Sequence, residues 1–257
     1  MRLAVFAGTL LIMMLCEQRL PARPKKPGTF RHNVDNLALG VMGSLLLRLM
    51  PGVLAAHLAI ENETWEVGLS HALGFDSDSI ALIVIAMITL DFAIYWQHRY
   101  FHYNRYFWKL HRVHHSDNTL NSTSALRFHP IEIMISMLIK SALVISLGLP
   151  FLAVVLFEIL LNACAIFNHT NIRLPKKLER LTRYLIVTPS MHRIHHSTDR
   201  NDSDSNFGFC LSIWDRIFAT YSRTNQSGRK GFEMGVKGLE NRQASGIKNL
   251  LAQPFGR

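Results

Sequence analysis

The sequence predicts an all-α fold, a multi-pass helical membrane protein with a cytoplasmic helical cap that carries a histidine-rich dimetal site. Three observations predict this fold. Hydrophobic residues make up 49% of the 257 residues, and they gather in long runs. The segments between these runs alternate in charge, and eight histidines form three clusters close to the ends of the runs.

Five apolar runs come close to, or exceed, the roughly 18 residues that a membrane-spanning helix needs. They lie at residues 2–18, 37–60, 79–97, 131–149 and 150–168. The second run is interrupted by Arg48 and by Pro51-Gly52 and is the least regular. The first run could be a cleaved signal peptide, but five basic residues follow it directly, whereas a cleavable signal carries its charge before the apolar stretch. We therefore expect an uncleaved span.

The charges between the runs predict an orientation. The formal net charge is +10. Segments 19–32 and 99–127 each hold five Lys or Arg, whereas segment 61–78 holds five acidic residues and no Lys or Arg. Positively charged loops stay on the cytoplasmic side of a membrane. The N-terminus is then outside, and the histidine clusters are cytoplasmic.

The histidines are spaced for metal binding. Residues three or four apart share one face of a helix, so each cluster can direct its imidazoles to a common point. The clusters are His98-x-x-x-His102, His111-x-x-His114-His115 and His192-x-x-His195-His196. A single pair of this kind is usually a surface or capping accident. Ten of the 13 histidines, however, fall between positions 98 and 196, which favours a site.

The absence of several known metal-binding motifs from the sequence excludes the corresponding kinds of metal site. The sequence contains no H-E-x-x-H motif, no deaminase-type Cys pair and no Glu-x-x-His pair of the soluble di-iron bundles. Eight imidazoles exceed what one tetrahedral or octahedral ion accepts, so two ions are expected. Cys16, Cys164 and Cys210 are isolated in the sequence and are interpreted as packing residues.

A helical hairpin is predicted between residues 131 and 168, because Gly148-Leu149-Pro150 is a turn signal between two apolar runs. Lys140 and Glu158 are each nine residues from Leu149, so they lie at similar depth, and we expect them to pair. The alternatives are that Lys140 snorkels or that the hairpin enters the membrane only part way. The two ends of the hairpin lie on one side of the membrane. His129 and His169 therefore return to the clusters, where each could be a ligand, a helix cap or a hydrogen-bond donor to a ligand.

The chain must bend between the first two clusters. The 13 residues from His98 to His111 rotate a straight helix by about 220°, which would aim the second cluster away from the first. Residues 102–105 are the expected place of the bend. Asp91 shares a helical stripe with His98 and His102, so it is interpreted either as a hydrogen-bond partner deeper in the site or as an ion or hydrogen-bond partner for a neighbouring helix.

Two polar segments follow the last cluster. Asp199, Asp202 and Asp204 could bond to ligand histidines, but the composition of 198–206 favours a solvated loop. Residues 223–257 are rich in Gly, Ser, Asn and basic residues, and they predict a flexible, membrane-adjacent tail without a catalytic role. The predicted divisions are 1–78 for N-terminal membrane helices and loops, 79–222 for a catalytic domain and 223–257 for the tail.

The region 80–222 resembles the fatty acid hydroxylase and sterol desaturase superfamily of membrane-bound di-iron enzymes. The similarity covers the ordered histidine clusters and the text around them, namely Trp108-Lys109-Leu110-His111-Arg112-Val113-His114-His115-Ser116, Arg127-Phe128-His129-Pro130-Ile131-Glu132, Asn168-His169, Thr188-Pro189-Ser190-Met191 before His192, Asn206-Phe207-Gly208 and Trp214-Asp215-Arg216. The eight cluster histidines match the family's ligands directly, and His129 and His169 match further recurrent family histidines. The resemblance implies the metal ligands His98, His102, His111, His114, His115, His129, His169, His192, His195 and His196.

The resemblance implies an oxidoreductase with two Fe ions that uses O2 to hydroxylate or desaturate a C–H bond of a lipid, such as a fatty acyl chain, a sterol or a carotenoid. No flavin, haem or iron–sulfur motif occurs in the sequence, so separate electron-transfer proteins are implied, a ferredoxin or a cytochrome b5-type protein with its reductase. A bacterial inner membrane and the endoplasmic reticulum both fit.

Two other classes of function compete with this hypothesis. A histidine-rich metal transporter or metal-storage protein would need no redox chemistry, but its polar ligands should lie near the middle of several spans rather than at their ends. A binding protein whose basic face contacts anionic lipid or nucleic acid is disfavoured, because cytoplasmic loops account for the positive charge and no aromatic nucleic-acid platform is present.

Overall fold

The computed structural model describes residues 2–224, 232–239 and 243–256, which are almost entirely helical and loop. Only isolated β-bridges join extended segments of this described part. Its α-helices are α1 Arg2–Arg19, α2 Thr29–Arg48, α3 Ala55–Trp65, α4 Leu69–Ala72, α5 Ile80–Tyr103, α6 Arg105–His115, α7 Pro130–Leu147, α8 Phe151–His169, α9 Lys176–Thr182, α10 Pro189–His195, α11 Arg200–Ser203, α12 Ile213–Ile217 and α13 Ile247–Ala252. Short 3-10 turns cover Pro51–Val53, Ser122–Leu126 and Gln253–Phe255. The predicted all-α class is confirmed.

Among the described residues, three helices are long and apolar enough to cross a membrane, namely α5, α7 and α8. Helix α1 carries Arg2, Glu17 and Arg19, and these charges exclude it from that set. The predicted span at 37–60 is divided, because α2 ends at Arg48 and α3 begins at Ala55 after the Pro51–Val53 turn. Proline lacks the backbone N–H that would continue the helix.

The predicted hairpin of α7 and α8 is confirmed. Gly148 ends α7 with a φ of 66°, a left-handed conformation that glycine adopts without strain. Gly68 packs on this turn, where an added Cβ would lie 2.3 Å from the backbone nitrogen of Gly148. The predicted pair also forms, since Lys140 Nζ donates to Glu158 Oε1 at 2.9 Å. Arg2 of α1 bonds to the other carboxylate oxygen of Glu158.

The helical core lies between these elements. Apolar side chains of α3, α5, α7 and α8 form one buried cluster, which includes Ala59, Ala86, Val144, Ala153 and Phe157. The three alanines allow helices to approach closely, as is common between membrane helices. Helices α5 and α8 therefore run side by side, and both end at the same end of the bundle.

The C-terminal segments differ from the predicted flexible tail. Leu250 of α13 is fully buried against Leu39 of α2 and Val113 of α6. The backbone carbonyl of Ala244 accepts a hydrogen bond from the buried guanidinium of Arg127 at 2.7 Å. No periodic pattern in the sequence predicts this packing, because the apolar residues of α13 occupy barely two helical turns. Residues 225–231, 240–242 and 257 lie outside the described part.

Candidate metal centre

Four helices bring nine histidines together at one end of the bundle. Helix α5 contributes two, α6 three, the last residue of α8 one and α10 with the residue after it three: His98, His102, His111, His114, His115, His169, His192, His195 and His196. Each is at most 6% exposed. The predicted bend is confirmed at Asn104, whose side chain caps α6 by accepting hydrogen bonds from the backbone nitrogens of Tyr106 and Phe107.

The nine imidazoles form two neighbouring groups. Within each group, one ring nitrogen per residue lies within 4.8 Å of all the others. One group holds five histidines and the other four: His98, His102, His111, His115 and His195, then His114, His169, His192 and His196. The groups touch, because the rings of His115 and His196 stack with centroids 4.5 Å apart. Two adjacent groups fit the predicted pair of metal ions.

The distances between the ring nitrogens fit a shared cation in each group. The Nε2 atoms are 2.9 Å apart in the pair His98 and His195, and 2.9 Å apart in the pair His169 and His192. Two imidazole nitrogens that bind one ion at about 2.0–2.1 Å and at right angles are separated by about 3 Å. The spacing is therefore that of neighbouring ligands on one metal.

The hydrogen-bond partners of the Nδ1 atoms support the interpretation that these histidines share a metal ion. Nδ1 of His98 lies 2.8 Å from the carbonyl oxygen of Phe207, and Nδ1 of His195 lies 2.8 Å from that of Ser205. A carbonyl only accepts, so both Nδ1 atoms carry the proton and both Nε2 atoms present a lone pair. Two facing lone pairs 2.9 Å apart repel each other unless a cation lies between them. The donor set fits a metal.

Burial keeps the ligands neutral. Desolvation lowers the pKa of His114, His115, His192, His195 and His196 well below the ordinary value, and neighbouring imidazoles lower it further. A protonated imidazole cannot bind a metal ion, so the neutral form is the competent one. These five rings are therefore ready for metal binding at neutral pH.

Carboxylates orient two rings of the larger group. Glu132 Oε1 lies 2.6 Å from Nδ1 of His111, and Asp204 Oδ1 lies 3.2 Å from Nδ1 of His102. Such partners fix the tautomer of a ligand and raise its basicity. The suggestion that the acidic stretch bonds to ligands is thus correct for Asp204. Asp202 instead lies buried beside Ser197, and Asp199 caps α11.

Asp91 has the second of its two predicted roles. It accepts hydrogen bonds from the backbone nitrogens of Cys210 and Leu211 and from Nε1 of Trp214 at 2.8 Å. It tethers a neighbouring loop to α5 rather than bonding to an imidazole. On α12, Asp215 accepts hydrogen bonds from the backbone nitrogens of Phe207 and Gly208 in the preceding loop at 2.7 and 2.9 Å. Asp215 therefore positions the carbonyl of Phe207 that holds His98.

A further buried network lies behind α6 and was missed by the sequence analysis. Asp117 accepts from His32 Nε2 at 2.8 Å and from the backbone nitrogens of Thr119 and Leu120. Burial alone would raise the pKa of Asp117, but His32 and Arg127 hold it well below its usual value. His32 and Asp117 are 85 residues apart in the sequence, so no local spacing predicts that they meet.

His129 is the one predicted ligand that the structure does not bring to either group. Its Nδ1 accepts from the backbone nitrogen of Ile131 and caps α7. Its Nε2 faces the carbonyl oxygen of Leu251 at 3.3 Å. Both ring nitrogens are engaged, so His129 takes the helix-cap alternative. His169, in contrast, joins the smaller group with its Nε2 3.0 Å from that of His114.

The comparisons with known proteins agree with this geometry. The sequence model of the fatty acid hydroxylase family matches residues 83–220, more than half of the chain. The chain belongs to the fatty acid hydroxylase family. The matched range contains all nine clustered histidines together with Glu132, Asp204 and Asp215.

Three curated relatives illustrate the range of the fatty acid hydroxylase family. An ornithine lipid hydroxylase of Rhizobium tropici is 30% identical over 181 residues, 68% of this chain and 50% of the relative. The alkylglycerol monooxygenase of Homo sapiens is 28% identical over 223 residues, 86% of this chain and 47% of the relative. A Delta(7)-sterol 5(6)-desaturase of Gibberella zeae is 26% identical over 165 residues, 64% of this chain and 43% of the relative.

The chain thus spans about half the length of these curated relatives. No solved structure matches it. The relatives are lipid hydroxylases, monooxygenases and desaturases, and three helices of this chain are suited to a membrane. The chain therefore combines the histidine-rich site of a fatty acid hydroxylase family member with helices that are long and apolar enough to cross a membrane.

Proposed function

We propose that the chain is a di-iron, O2-dependent enzyme that hydroxylates or desaturates a C–H bond of a membrane lipid. The observation that carries the proposal is the convergence of nine buried imidazoles in two touching groups at the shared end of α5 and α8. All-nitrogen ligand sets suit iron among other metals. Two redox ions side by side would take up O2 and supply the oxidant for a strong C–H bond.

The chain's own residues hold and protect this site. Glu132 and Asp204 orient imidazoles through Nδ1, and the carbonyl of Phe207 holds His98. Burial keeps water away from the ligands, which prevents side reactions of a strong oxidant. Hydroxylation consumes one O2, two electrons and two protons, and it yields an alcohol and one water. Desaturation with the same inputs yields a double bond and two waters.

The substrate is proposed to be an amphipathic lipid that enters from the bilayer. The names of the relatives place their activities on ornithine lipids, alkylglycerols and sterols. In this chain, His98, His102 and His169 lie at the ends of two candidate spans, which supports a substrate that presents a C–H bond near its polar end. The basic segments 19–32 and 99–127 support a cytoplasmic location of this end. The electrons are proposed to come from separate proteins.

The positions of the clustered histidines along α5 and α8 disfavour a transport function. A path for ions across the membrane would place polar ligands at several depths along the spans. The clustered histidines of α5 and α8 instead lie within the last six residues of those helices. The buried charges deeper in the bundle, Lys140 and Glu158, neutralise each other.

The proposal is tested by expressing the protein in a host with a fully profiled lipidome under 18O2. The expected result is one new class of lipid that carries a single 18O atom or a new double bond, together with iron in the purified protein. His115→Ala should abolish the product, whereas His57→Ala, at a half-exposed position on α3, should leave it unchanged. Equal lipid profiles for the protein and His115→Ala, with no bound iron, would contradict the proposal.

A further inference from the structure

A large cavity opens beside the metal centre. Its volume is about 1290 Å³, and its lining includes Trp108 and the ligand His115. The described lining residues come from loops, α6 and α11, and none of them belongs to α5, α7 or α8. The cavity therefore opens at the polar end of the molecule rather than toward the bilayer.

Trp108 connects this cavity to the ligands. The centroid of its ring lies 5.0 Å from that of His102 and 5.3 Å from that of His115. The guanidinium of Arg200 lies over the indole at 5.1 Å from the centroid. One aromatic side chain thus contacts two imidazoles of the five-histidine group and also faces the cavity.

Basic side chains outnumber acidic ones in the described lining of the cavity, which also holds apolar side chains such as Phe232, Met234 and Leu239. The described lining contains five basic and two acidic side chains: Arg23, Lys25, Lys26, Arg200 and Lys237, with Asp199 and Glu233. Arg23 and Lys26 donate to backbone carbonyls and help to build the wall. Lys25 and Lys237 are exposed at the rim. A rim of this charge attracts an acidic partner and orients it.

We propose that this cavity is the docking site of an acidic one-electron donor protein and that Trp108 is the contact through which electrons reach the five-histidine group. The inference rests on the proposed function. Each encounter oxidises one reduced donor by one electron, and two donors supply the two electrons of a turnover. O2 is the final oxidant, and solvent supplies the two protons.

A lipid is not the occupant that these residues favour. No described part of the lining is contributed by the apolar candidate spans, and the rim carries the exposed ammonium groups of Lys25 and Lys237. Electron tunnelling falls steeply with distance, so a donor must approach a ligand closely. Among the ligands, His115 lines the cavity, with Trp108 beside it.

The test uses the full chain, loaded with iron in nanodiscs, and an acidic [2Fe–2S] ferredoxin as the probe. Charge reversal at the rim, Lys25→Glu with Lys237→Glu, should weaken ferredoxin binding at least tenfold at low salt. The matched control, Lys176→Glu with Lys177→Glu, makes the same change in net charge at exposed positions of α9 outside the cavity and should change the affinity less than twofold. Salt should weaken binding to the unaltered protein. Metal-free protein should bind equally, which makes this readout independent of activity.

The role of Trp108 in electron transfer is tested by measuring the rate at which saturating reduced ferredoxin reduces the iron-loaded protein in a stopped-flow experiment. Trp108→Leu should slow reduction at least tenfold without changing the ferredoxin Kd or the iron content, and Trp108→Phe should restore most of the rate. Equal effects of the rim and control variants, or competition by inorganic phosphate or anionic lipid vesicles alone at ferredoxin-like potency, would overturn the docking proposal. An unchanged rate in Trp108→Leu would overturn the route. Product formation with dithionite as reductant separates these outcomes from a failure of the proposed function, in which no reductant gives product.

Discussion

Glu132 and His111 form a buried pair in which a carboxylate oxygen lies 2.6 Å from Nδ1 of the imidazole. Glu132 lies in the first turn of α7, and His111 lies on α6, which packs beside it. The pair leaves Nε2 of His111 facing the five-histidine group without a protein partner among the described residues. Glu132 of α7, a candidate membrane span, therefore orients the imidazole of His111 on α6.

Glu132→Gln should weaken metal binding. The amide oxygen can still accept from Nδ1, but it lacks the negative charge of the carboxylate, and such changes typically cost about 10–100-fold in metal affinity. The measurement is a competition titration against a chelator. Glu61→Gln on α3, at a partly exposed position, is the control. An unchanged affinity in Glu132→Gln would show that the carboxylate does not support the metal.

His129→Ala and His192→Ala should separate a helix cap from a ligand. His129→Ala removes the cap of α7 and should lower the free energy of unfolding by about 0.5–2 kcal/mol, with the metal content retained. His192→Ala should lose metal, because this residue lies in the four-histidine group. Elemental analysis and thermal unfolding of the two variants give both quantities. Loss of metal from His129→Ala would instead make it a ligand.

Removal of the metal should destabilise the protein. The clustered imidazoles are buried and aim lone pairs at one another, so the folded state binds cations that the unfolded chain holds weakly. At a metal concentration about 1000-fold above the Kd, binding stabilises the folded state by about 4 kcal/mol. Thermal unfolding before and after chelation should show this loss, and it should be recovered when iron is added back. A Tm that does not respond to chelation would contradict a metal-supported core.

Breaking the pair between α7 and α8 should be costly. Lys140 and Glu158 have side chains only 9% and 12% exposed, so Glu158→Gln leaves a buried ammonium without its charge partner. Breaking such a pair typically costs about 3–5 kcal/mol. The double variant Lys140→Met with Glu158→Met should recover most of this loss, because it buries no charge. Unfolding in detergent of both variants decides the point, and equal stability of all three proteins would show that the pair is not energetically coupled.

The C-terminal helix should contribute to the stability of the core. Leu250 is fully buried against α2 and α6, so Leu250→Ala should cost about 2–5 kcal/mol. Leu181→Ala on α9, at a position 72% exposed, serves as the control and should cost much less. Limited proteolysis should also release residues 243–256 faster from Leu250→Ala. If both variants unfold at the same temperature, the segment is not part of the cooperative core.

Local patterns predicted much of the fold and most of the site. Apolar runs and the Gly148 turn predicted the hairpin, because a helix of given composition and length forms in the same way wherever it packs. The rotation of a helix required a bend between His98 and His111, and Asn104 provides it. Equal distances from Leu149 predicted that Lys140 and Glu158 would pair. In each case the information lay within a few helical turns.

Other features depend on contacts between distant segments. The carboxylates that orient His102 and His111 come from residues 102 and 21 positions away, and Asp215 acts on His98 through the carbonyl of Phe207. The tail was predicted to be flexible because α13 is too short to show a periodic pattern, yet Leu250 fills a gap between α2 and α6. These roles depend on packing between segments that are distant in the sequence, and no local spacing predicts that packing.

The sequence by itself determined that histidines at helical spacing meet at one end of a helical membrane bundle, since 3.6 residues per turn aligns them before any tertiary contact forms. Only the tertiary structure decided how the imidazoles divide into groups of five and four, and why His169 joins them whereas His129 caps a helix. The physical reason is that a ligand is defined by the direction of a nitrogen lone pair. That direction depends on which carbonyl or carboxylate the other ring nitrogen meets across the fold.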